Sequence, residues 1–443
     1  MKKVALHTLG CKLNFSETSS IGRQFVKNGF EVVDFNQEAD VYVINTCTVT
    51  ENAERDCRQV VRRALRTNPG AYVMVTGCYA QLRPDEIAGI EGVDVVLGSK
   101  EKFDVFSFID NFEKRDLACI FVSPTEDLST EFGFASSGEG DSRTRAYFKV
   151  QDGCDYKCTF CTIPLARGAS RSMDPSKAVE KFAELLEHGY REIILTGVNV
   201  GDFGKATSGK NVDSSFYRLL LRLLDVRGDY RLRISSIEPN LLTDQILELT
   251  AGSERMAKHF HIPLQSGSPT ILRLMQRRYN TAFYEKLIYR AMKIVPGVGI
   301  GVDVITGFPG EGEKEFMETH NFLLGLPVSY FHVFTYSERP RTKAINMPGM
   351  VDVAERKRRT NMLRIMSQKK RDDFYTGMIG KTVDVLFENS NHLGYMKGFS
   401  SEYVKVSHPF DPGYTNRFAK FKILSSDGEH CHGEIVGNET VTV

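Results

Sequence analysis

Three cysteines close together in the chain, Cys154, Cys158 and Cys161, have the residue type and spacing of metal ligands. Their spacing is C-x3-C-x2-C, and three thiols in so short a run cannot all pair as disulfides. Because cysteine thiolates are the ligands of [4Fe-4S] clusters, the run predicts a cluster with one iron left open for a substrate or cofactor. A structural zinc site is the alternative. Zinc usually takes four ligands, however, and no Cys or His follows within the next dozen residues.

A second set of three cysteines, Cys11, Cys47 and Cys78, shares one context although its members are far apart in the chain. Each follows an apolar run that is predicted to be a β-strand, over Val4–Leu9, Val41–Asn45 and Tyr72–Thr76. In an open parallel sheet the carboxyl ends of the strands converge on one crevice, where ligands bind. The placement therefore predicts a second cluster with an open iron, and ordinary buried cysteines are the alternative. The other three cysteines lack this context and are expected to bind no metal: Cys57, Cys119 and Cys431.

Three units are predicted around these cysteines. Residues 1–115 alternate short strands with helices such as Ser16–Asn28 and Asn52–Thr67, which is typical of an α/β, doubly wound parallel sheet. Residues 116–142 are poor in periodicity and predict a linker. Residues 143–371 repeat the strand–helix pattern six times and predict a partial (β/α)6 barrel, with the Cys154 set after its first strand. Residues 372–443 carry short β-rich runs between turn residues, which predicts a small antiparallel β-barrel.

The expected strands follow from the apolar and β-branched runs. The N-terminal sheet has a fourth predicted strand at Val93–Leu97. The central barrel strands are predicted at Ala146–Gln151, Glu192–Thr196, Arg231–Ser235, His259–Pro263, Gly299–Ile305 and Tyr330–Thr335. The C-terminal barrel strands are predicted at Thr382–Leu386, Tyr403–Ser407 and Ala419–Leu424.

The composition is that of an ordinary globular protein. The 443 residues are 41% hydrophobic and 26% charged, and the formal net charge of +1 does not by itself indicate a nucleic-acid binder. No apolar run approaches the ~20 residues that a membrane span needs, so no membrane partner is expected. Nine cysteines without a recognisable secretion leader predict a reducing compartment, and hence a cytoplasmic protein.

Four motifs of the chain resemble those of the radical S-adenosylmethionine (SAM) methylthiotransferases. Three surround the dispersed cysteines, and the fourth begins at the clustered ones: Thr8–Asn14, Asn45–Thr50, Thr76–Gln81 and Cys154–Gly168. The C-terminal barrel resembles the TRAM domain, an RNA-binding module of these enzymes. Within the family, the sequence around Cys11 is most similar to the branch that acts on N6-threonylcarbamoyladenosine (t6A) in tRNA.

The resemblance implies an enzyme that adds sulfur and a methyl group to C2 of t6A at position 37 of tRNA. It implies two [4Fe-4S] clusters, one that cleaves SAM to a 5′-deoxyadenosyl radical and one that holds the sulfur, which a second SAM methylates. It also implies the tRNA anticodon stem-loop as a partner, a flavodoxin-like or ferredoxin-like electron donor, and a monomer. Isopentenyladenosine in tRNA or a ribosomal-protein aspartate is an alternative substrate. A non-catalytic iron–sulfur protein that binds RNA or transfers electrons is an alternative of another class.

Several further residues are expected to contact the cofactor. Thr196 and Gly197 lie in a loop that resembles the one meeting the methionyl amine of SAM. The polar residues that end later strands could reach the ribose or methionyl part of SAM: Ser235, Glu238 and Gln265. Asp303 lies inside an apolar strand, where a carboxylate needs a partner, either a ligand or a structural hydrogen bond to a loop backbone. Tyr156, within the cysteine run, is also expected at this site.

Two arginines close behind the cysteine run, Arg167 and Arg171, are expected to provide at least one contact to the carboxylate of t6A or SAM, since arginine binds a carboxylate with two parallel hydrogen bonds.

RNA binding by the C-terminal barrel is less simply predicted. From Asp372 onward six basic residues face ten acidic ones, a formal charge of −4. Contact with RNA would therefore use a local strip in which aromatic and basic residues alternate, around Lys397–Phe399 and Arg417–Lys422.

Overall fold

The N-terminal unit is a six-stranded, entirely parallel sheet with strand order β2-β1-β3-β4-β5-β6. The computed structural model describes residues 1–48, 53–128, 144–204 and 215–437. The central strands β3 and β4 are buried throughout, which explains their uninterrupted apolar sequences. The elements are β1 (Lys3–Thr8), α1 (Lys12–Lys27), β2 (Glu31–Val33), β3 (Val41–Thr46), α2 (Ala53–Thr67), β4 (Tyr72–Gly77), α3 (Cys78–Leu82), α4 (Pro84–Ala88), β5 (Val95–Leu97) and β6 (Cys119–Phe121). The predicted doubly wound parallel sheet is confirmed.

Three local features of this unit differ from the prediction. Edge strand β2 was not expected, because it has only three residues and is defined by pairing with the longer β1. Edge strand β6 is equally short and lies within a run of strand-like sequence, Ala118–Val122. Strand β6 pairs with β5 and so extends the sheet into the range 116–142 that was predicted as linker. Helix α1 begins at Lys12 rather than Ser16, which places Cys11 at its N-cap position. Most of the predicted linker, residues 129–142, lies outside the described residues.

The central unit consists of six parallel strands in chain order. Strands β7, β10 and β11 form one ladder, β12, β13 and β14 form another, and the bridge between Leu232 and Met256 joins them. The predicted (β/α)6 partial barrel is confirmed. Its elements are β7 (Arg145–Lys149), β8 (Gln151–Asp152), α5 (Ile163–Arg167), β9 (Arg171–Ser172), α6 (Pro175–Glu187), β10 (Glu192–Thr196), α7 (Phe216–Leu224), β11 (Arg231–Ile234), α8 (Asp244–Gly252), β12 (His259–His261), α9 (Pro269–Leu274), α10 (Thr281–Ile294), β13 (Gly299–Thr306), α11 (Glu313–Gly325), β14 (Tyr330–Thr335) and α12 (Val353–Thr376).

The C-terminal unit is a closed five-stranded barrel with neighbour order β15-β16-β17-β19-β18, as the prediction of a small β-barrel requires. All neighbouring pairs are antiparallel except β17 and β19, which run parallel. Its strands are β15 (Thr382–Phe387), β16 (Tyr395–Ser400), β17 (Lys405–Pro409), β18 (Phe418–Ser426) and β19 (Cys431–Ile435).

The C-terminal barrel closes the amino-terminal end of the central barrel. Arg231 and Arg233, at the start of β11, are each only 2% exposed and share the buried carboxylate of Glu192. Their remaining N–H groups donate across the interface. Arg231 bonds the carbonyl of Phe399 at 3.0 Å, and Arg233 bonds that of Ser400 at 3.0 Å. The contact leaves the carboxyl end of the central barrel, where barrel enzymes carry out their chemistry, to face the N-terminal sheet.

Among the described residues, no helix combines the length and apolar character that crossing a bilayer would require.

Candidate functional site

The dispersed cysteines follow three strands that are aligned with one another. Thr8 of β1 is paired with Asn45 of β3, which is paired with Thr76 of β4, so the three residues form one row across the sheet. The cysteines come two or three residues beyond this row: Cys11, Cys47 and Cys78. They therefore share the carboxyl edge of the sheet, next to the β1/β3 position where the strand order reverses and ligands bind in such folds.

Two glycines allow the chain segments at this edge to approach closely. Gly10 has φ +102°, and a Cβ added to it would lie 2.5 Å from the Sγ of Cys47. Gly77, also at φ +102°, has no room for a Cβ, which would lie 2.3 Å from the carbonyl oxygen of Thr46. Any larger residue at either position would be strained and would separate the cysteine-bearing segments.

The clustered cysteines lie on the loop that joins β8 to α5. Backbone N–H groups of the loop donate to two of the sulfurs, from Tyr156 to Cys154 and from Ile163 to Cys161, each at 3.4 Å. The third sulfur, Sγ of Cys158, accepts a hydrogen bond from Arg277 at 3.1 Å. Hydrogen bonds to ligand sulfurs are a recognised means of tuning iron–sulfur clusters.

Burial alone would keep these thiols protonated. It raises the pKa of Cys154 to about 12 and that of Cys161 to about 12. A thiolate at these positions needs nearby positive charge, which a bound metal supplies because coordination deprotonates a thiol. The donor set thus fits a metal cluster better than free catalytic thiols.

The two cysteine sets adjoin. Thr48, next to Cys47, shares a hydrogen bond with Thr162, next to Cys161, with 3.2 Å between their Oγ1 atoms. Ser99, in the loop after β5, donates to the carbonyl of Ala166 at 2.9 Å. The cysteine edge of the N-terminal sheet therefore faces the cysteine loop of the central barrel directly.

A buried ion network lies beneath the dispersed cysteines. The carboxylate of Glu17, fully buried on α1, bonds Lys102 at 2.6 Å, Lys149 at 2.7 Å and Arg167 at 2.7 Å. Asp152 bonds Arg167 at 3.1 Å and is also paired with Lys149 and Arg171. Although burial disfavours its ionised form, these cations hold the pKa of Glu17 well below its ordinary value. No short-range pattern in the sequence indicates this network, because its members are far apart in the chain.

This network carries four cations and two carboxylates, a formal excess of two positive charges in a buried region. The Nε of Arg167 donates to the Sγ of Cys78 at 3.2 Å, which places the excess charge beside the dispersed cysteines. Buried charge is stable only when compensated. An anionic group at those cysteines, such as a cluster bound through thiolates, fits this requirement.

The expected carboxylate contact of Arg167 and Arg171 takes a different form. The guanidinium of Arg167 is 1% exposed and is occupied by Glu17, Asp152 and Cys78. Arg171 bonds Asp152 at 2.7 Å and the carbonyl of Arg167. Both arginines grip carboxylates as their chemistry suggests, but these belong to the protein rather than to a ligand, so the expectation is revised.

Two buried side-chain atoms in the expected SAM loop have no partner among the described residues: Thr196 Oγ1 and Asn199 Oδ1. Gly197 packs against Gln151 so closely that an added Cβ would lie 2.8 Å from the Oε1 of that residue. Unpaired buried polar atoms are unfavourable unless a ligand satisfies them, so this loop fits a polar ligand such as SAM.

The other residues expected to contact the cofactor lie near the cysteine loop or at the carboxyl ends of the central strands. Glu238 forms an ion pair with Arg277, the residue that also bonds Cys158. Tyr156 bonds Asn240 through its hydroxyl, and the guanidinium of Arg278 lies 3.7 Å from its ring centroid. Ser235 follows β11, and Gln265 has a left-handed backbone at φ +70° and bonds the backbone of β13. Their roles toward SAM stay predictions.

The half-buried carboxylate of Asp303 has histidine partners on both neighbouring strands. It lies 2.9 Å from Nε2 of His261 on β12 and 3.4 Å from Nδ1 of His332 on β14. Burial opposes ionisation, but the two histidines hold the pKa of Asp303 well below its ordinary value. The carboxylate is thus held by histidine side chains of adjacent strands rather than by the loop backbone that was expected as its structural partner, and contact with a ligand stays a prediction.

The three remaining cysteines lie apart from both sets. Cys57 is buried within α2, Cys119 lies on edge strand β6, and Cys431 is buried in the C-terminal barrel. The expectation that they bind no metal stays a prediction.

Two regions of the chain match known families. Residues 3–98 match the family described as "Uncharacterized protein family UPF0004", and residues 148–323 match the radical SAM superfamily. The threonylcarbamoyladenosine tRNA methylthiotransferase MtaB of Bacillus subtilis is 38% identical, covering 98% of this chain and 97% of that protein. Its namesake from Aquifex aeolicus is 39% identical over 88% of this chain and 94% of that protein.

A relative that is named for another substrate is less similar. The tRNA-2-methylthio-N(6)-dimethylallyladenosine synthase of Fusobacterium nucleatum is 32% identical over 98% of this chain and 100% of that protein. Among solved structures, the radical SAM methyltransferase TsrM from Kitasatospora setae aligns with a TM-score of 0.53 at 14% identity, over 75% of this chain and 73% of that one. That likeness concerns the fold alone.

Proposed function

Because the chain belongs to the radical SAM tRNA methylthiotransferases, we propose that it methylthiolates C2 of t6A at position 37 of tRNA. The observation that carries the proposal is the direct apposition of two three-cysteine sets, joined by the hydrogen bond between Thr48 and Thr162. One carbon of a base held between them can reach both. The greater similarity to relatives named for threonylcarbamoyladenosine favours t6A over isopentenyladenosine.

Each cysteine set has a separate role in this proposal. Cys154, Cys158 and Cys161 hold the cluster that binds SAM, and Cys11, Cys47 and Cys78 hold the auxiliary cluster that carries sulfur. When bound, these groups supply the chemistry: reductive cleavage of SAM to a carbon radical at one set, and a methylated sulfur at the other.

The protein's own residues position and shield these groups. Arg277 bonds Cys158, and Arg167 bonds Cys78, so each cysteine set has one sulfur fixed by a buried guanidinium. Thr196 and Asn199 offer unpaired polar atoms to the cofactor. Phe160, in the cysteine loop, packs edge-on against the buried Phe308, with 6.4 Å between ring centroids, and so attaches the loop to an apolar cluster.

We also propose a separate role for each unit: residues 1–115 together with β6 for the auxiliary cluster, 143–371 for radical formation, and 372–443 for RNA contact, with the part of 116–142 that follows β6 as a connector. The enzyme acts as a cytoplasmic monomer on the anticodon stem-loop and takes electrons from a flavodoxin-like or ferredoxin-like donor. The chemistry itself supports such a donor, because reductive cleavage of SAM consumes an electron.

The function is tested by nucleoside mass spectrometry of tRNA from a strain that lacks this protein. The methylthio mark on t6A is expected to disappear while t6A itself accumulates and methylthio-isopentenyladenosine is retained. Restoring the wild-type chain should restore the mark, whereas a chain with Cys158→Ala should not. Loss of the isopentenyl-linked mark instead would assign the other substrate.

RNA contact by the C-terminal barrel is tested at Lys420 and Lys422 of β18. Both side chains are exposed, and they alternate with the buried Phe421. Replacing both with glutamine is expected to weaken tRNA binding and to flatten its dependence on salt, by roughly one unit of slope per lost phosphate contact. The measurement is fluorescence anisotropy across a salt series. A slope equal to that of the wild type would remove this strip from the interface.

A further inference from the structure

The segment after the last central strand is fixed against the clustered cysteines. Within it, the N–H of Ala344 donates to the carbonyl of Thr159, inside the cysteine loop, at 2.9 Å. Tyr336, at the start of the segment, packs on Phe308 with 5.5 Å between ring centroids. The turn between these two anchors carries Arg339.

The turn itself is held in an uncommon conformation. Both the N–H and the hydroxyl of Thr342 donate to the carbonyl oxygen of Arg339, at 3.2 and 2.7 Å. Arg341 completes the turn with φ +66°, a left-handed conformation that costs a side-chain-bearing residue free energy. Such strain persists where the surroundings fix the backbone, and it is concentrated at functional sites.

Arg339 lies near both cysteine sets, because the segment that carries it is bonded to the cysteine loop at Thr159 and its guanidinium interacts electrostatically with one cysteine of each set. Burial lowers the pKa of this half-buried guanidinium, and Cys47 and Cys161 both act on it in the opposite direction. These two cysteines belong to different sets and are neighbours through Thr48 and Thr162. Arg339 therefore borders the space that a base must enter to reach both.

No carboxylate from the described parts of the chain forms an ion pair with Arg339. The adjacent carboxylate of Glu338 is held instead by Arg356, at 2.6 Å. Four other arginines near the site do have acidic partners: Arg167, Arg171, Arg277 and Arg356. A half-buried guanidinium without a counter-charge is an anion-binding group that the protein has not itself satisfied.

We propose that Arg339 binds an oxyanion of the substrate nucleotide. Granted the proposed function, two such groups are available at position 37: the carboxylate of the threonylcarbamoyl group and the phosphate beside the nucleotide. Both offer two oxygens to the parallel N–H groups of arginine. By fixing this oxyanion, Arg339 orients the base toward the cysteine sets.

The test measures the affinity of reconstituted, full-length protein for two anticodon stem-loop RNAs, one with t6A and one with unmodified adenosine at position 37. The variants are Arg339→Gln and Arg339→Lys. Arg290→Gln is the matched control, because Arg290 is exposed and paired with Asp244 on the outer helices at 2.8 Å. Loss of a charge-assisted contact is expected to weaken binding by about tenfold to a hundredfold for R339Q, less for R339K and not at all for R290Q.

The two RNAs distinguish the sources of the oxyanion. Weakening limited to the t6A RNA assigns the carboxylate, and equal weakening for both RNAs assigns the phosphate. Iron content and 5′-deoxyadenosine formation without RNA should match the wild type, which excludes a folding defect. If R339Q loses iron, the affinities of R339K for the two RNAs are used instead, with the same expected pattern. If R339Q bound both RNAs with wild-type affinity, the proposed role of Arg339 would be overturned. The proposed function would be unaffected by that result, because it depends on whether the wild-type protein methylthiolates t6A.

Discussion

Replacing Cys11, Cys47 and Cys78 together with alanine is expected to leave a protein that carries about four irons instead of about eight. The variant should still convert SAM to 5′-deoxyadenosine, because the clustered cysteines and the loop around Thr196 are unchanged. It should form no methylthio product, since its sulfur-carrying site is gone. Iron analysis, 5′-deoxyadenosine assays and nucleoside mass spectrometry on one anaerobic preparation give all three readings.

The reciprocal variant sharpens this result. Replacing Cys154, Cys158 and Cys161 should also halve the iron, but it should abolish 5′-deoxyadenosine and product alike. The remaining cysteines provide matched controls, each expected to keep full iron and activity as single alanine variants: Cys57, Cys119 and Cys431. Full iron in the first triple variant, or product from it, would contradict the division of roles between the two sets.

The second large effect is expected at Glu17. In Glu17→Gln, the cations Lys102, Lys149 and Arg167 lose their shared carboxylate while remaining buried. Removing one partner from a buried ion pair typically costs about 3–5 kcal/mol, because uncompensated charge remains. The measurement is the urea unfolding midpoint under anaerobic conditions. Glu184→Gln is the control, since its pair with Lys181 lies on the partly exposed surface of one helix and is worth about 0–1 kcal/mol.

The same carboxylate predicts how stability depends on pH. The pKa of Glu17 in the folded chain lies well below its ordinary value of about 4.3, as neighbouring cations overcome the opposing effect of burial. Its contribution is therefore complete above about pH 4.3 and is lost as the pH falls toward the folded value. The wild type should lose stability more steeply in acid than E17Q. If the free energy of unfolding fell equally with pH in both proteins, Glu17 would not be the source of the acid sensitivity.

Short-range patterns in the sequence were sufficient for the elements and for the cysteine sets. Strands β3 and β4 are buried on both faces and therefore appear as continuous apolar runs. The cysteines after β1, β3 and β4 could be placed together because parallel strands end at one edge. Edge strand β2 could not be predicted, because its three residues are mostly exposed and form no buried apolar run.

The ion network was beyond such reasoning for a different reason. Glu17 lies on a helix, where a carboxylate is usually solvated, and its partners Lys102 and Lys149 are 85 and 132 residues away. Their burial arises only when the N-terminal sheet docks on the central barrel. For the same reason Arg167 appeared free to meet a ligand. Asp303 was correctly expected to need a partner, but the strand adjacency of the barrel was required to identify His261 and His332.

The contact between the C-terminal barrel and the central barrel limits which experiments can test RNA binding. Deleting residues after α12 would strip Arg231 and Arg233 of their carbonyl acceptors and open the floor of the central barrel to water. If a truncated enzyme failed to bind tRNA, the cause could therefore be a destabilised central barrel as well as a missing RNA contact. Point substitutions on the outer strands are the informative route. Because buried arginines of the central barrel bond its backbone, the C-terminal barrel presents any bound tRNA with a surface whose position is fixed relative to the cysteine-bearing end.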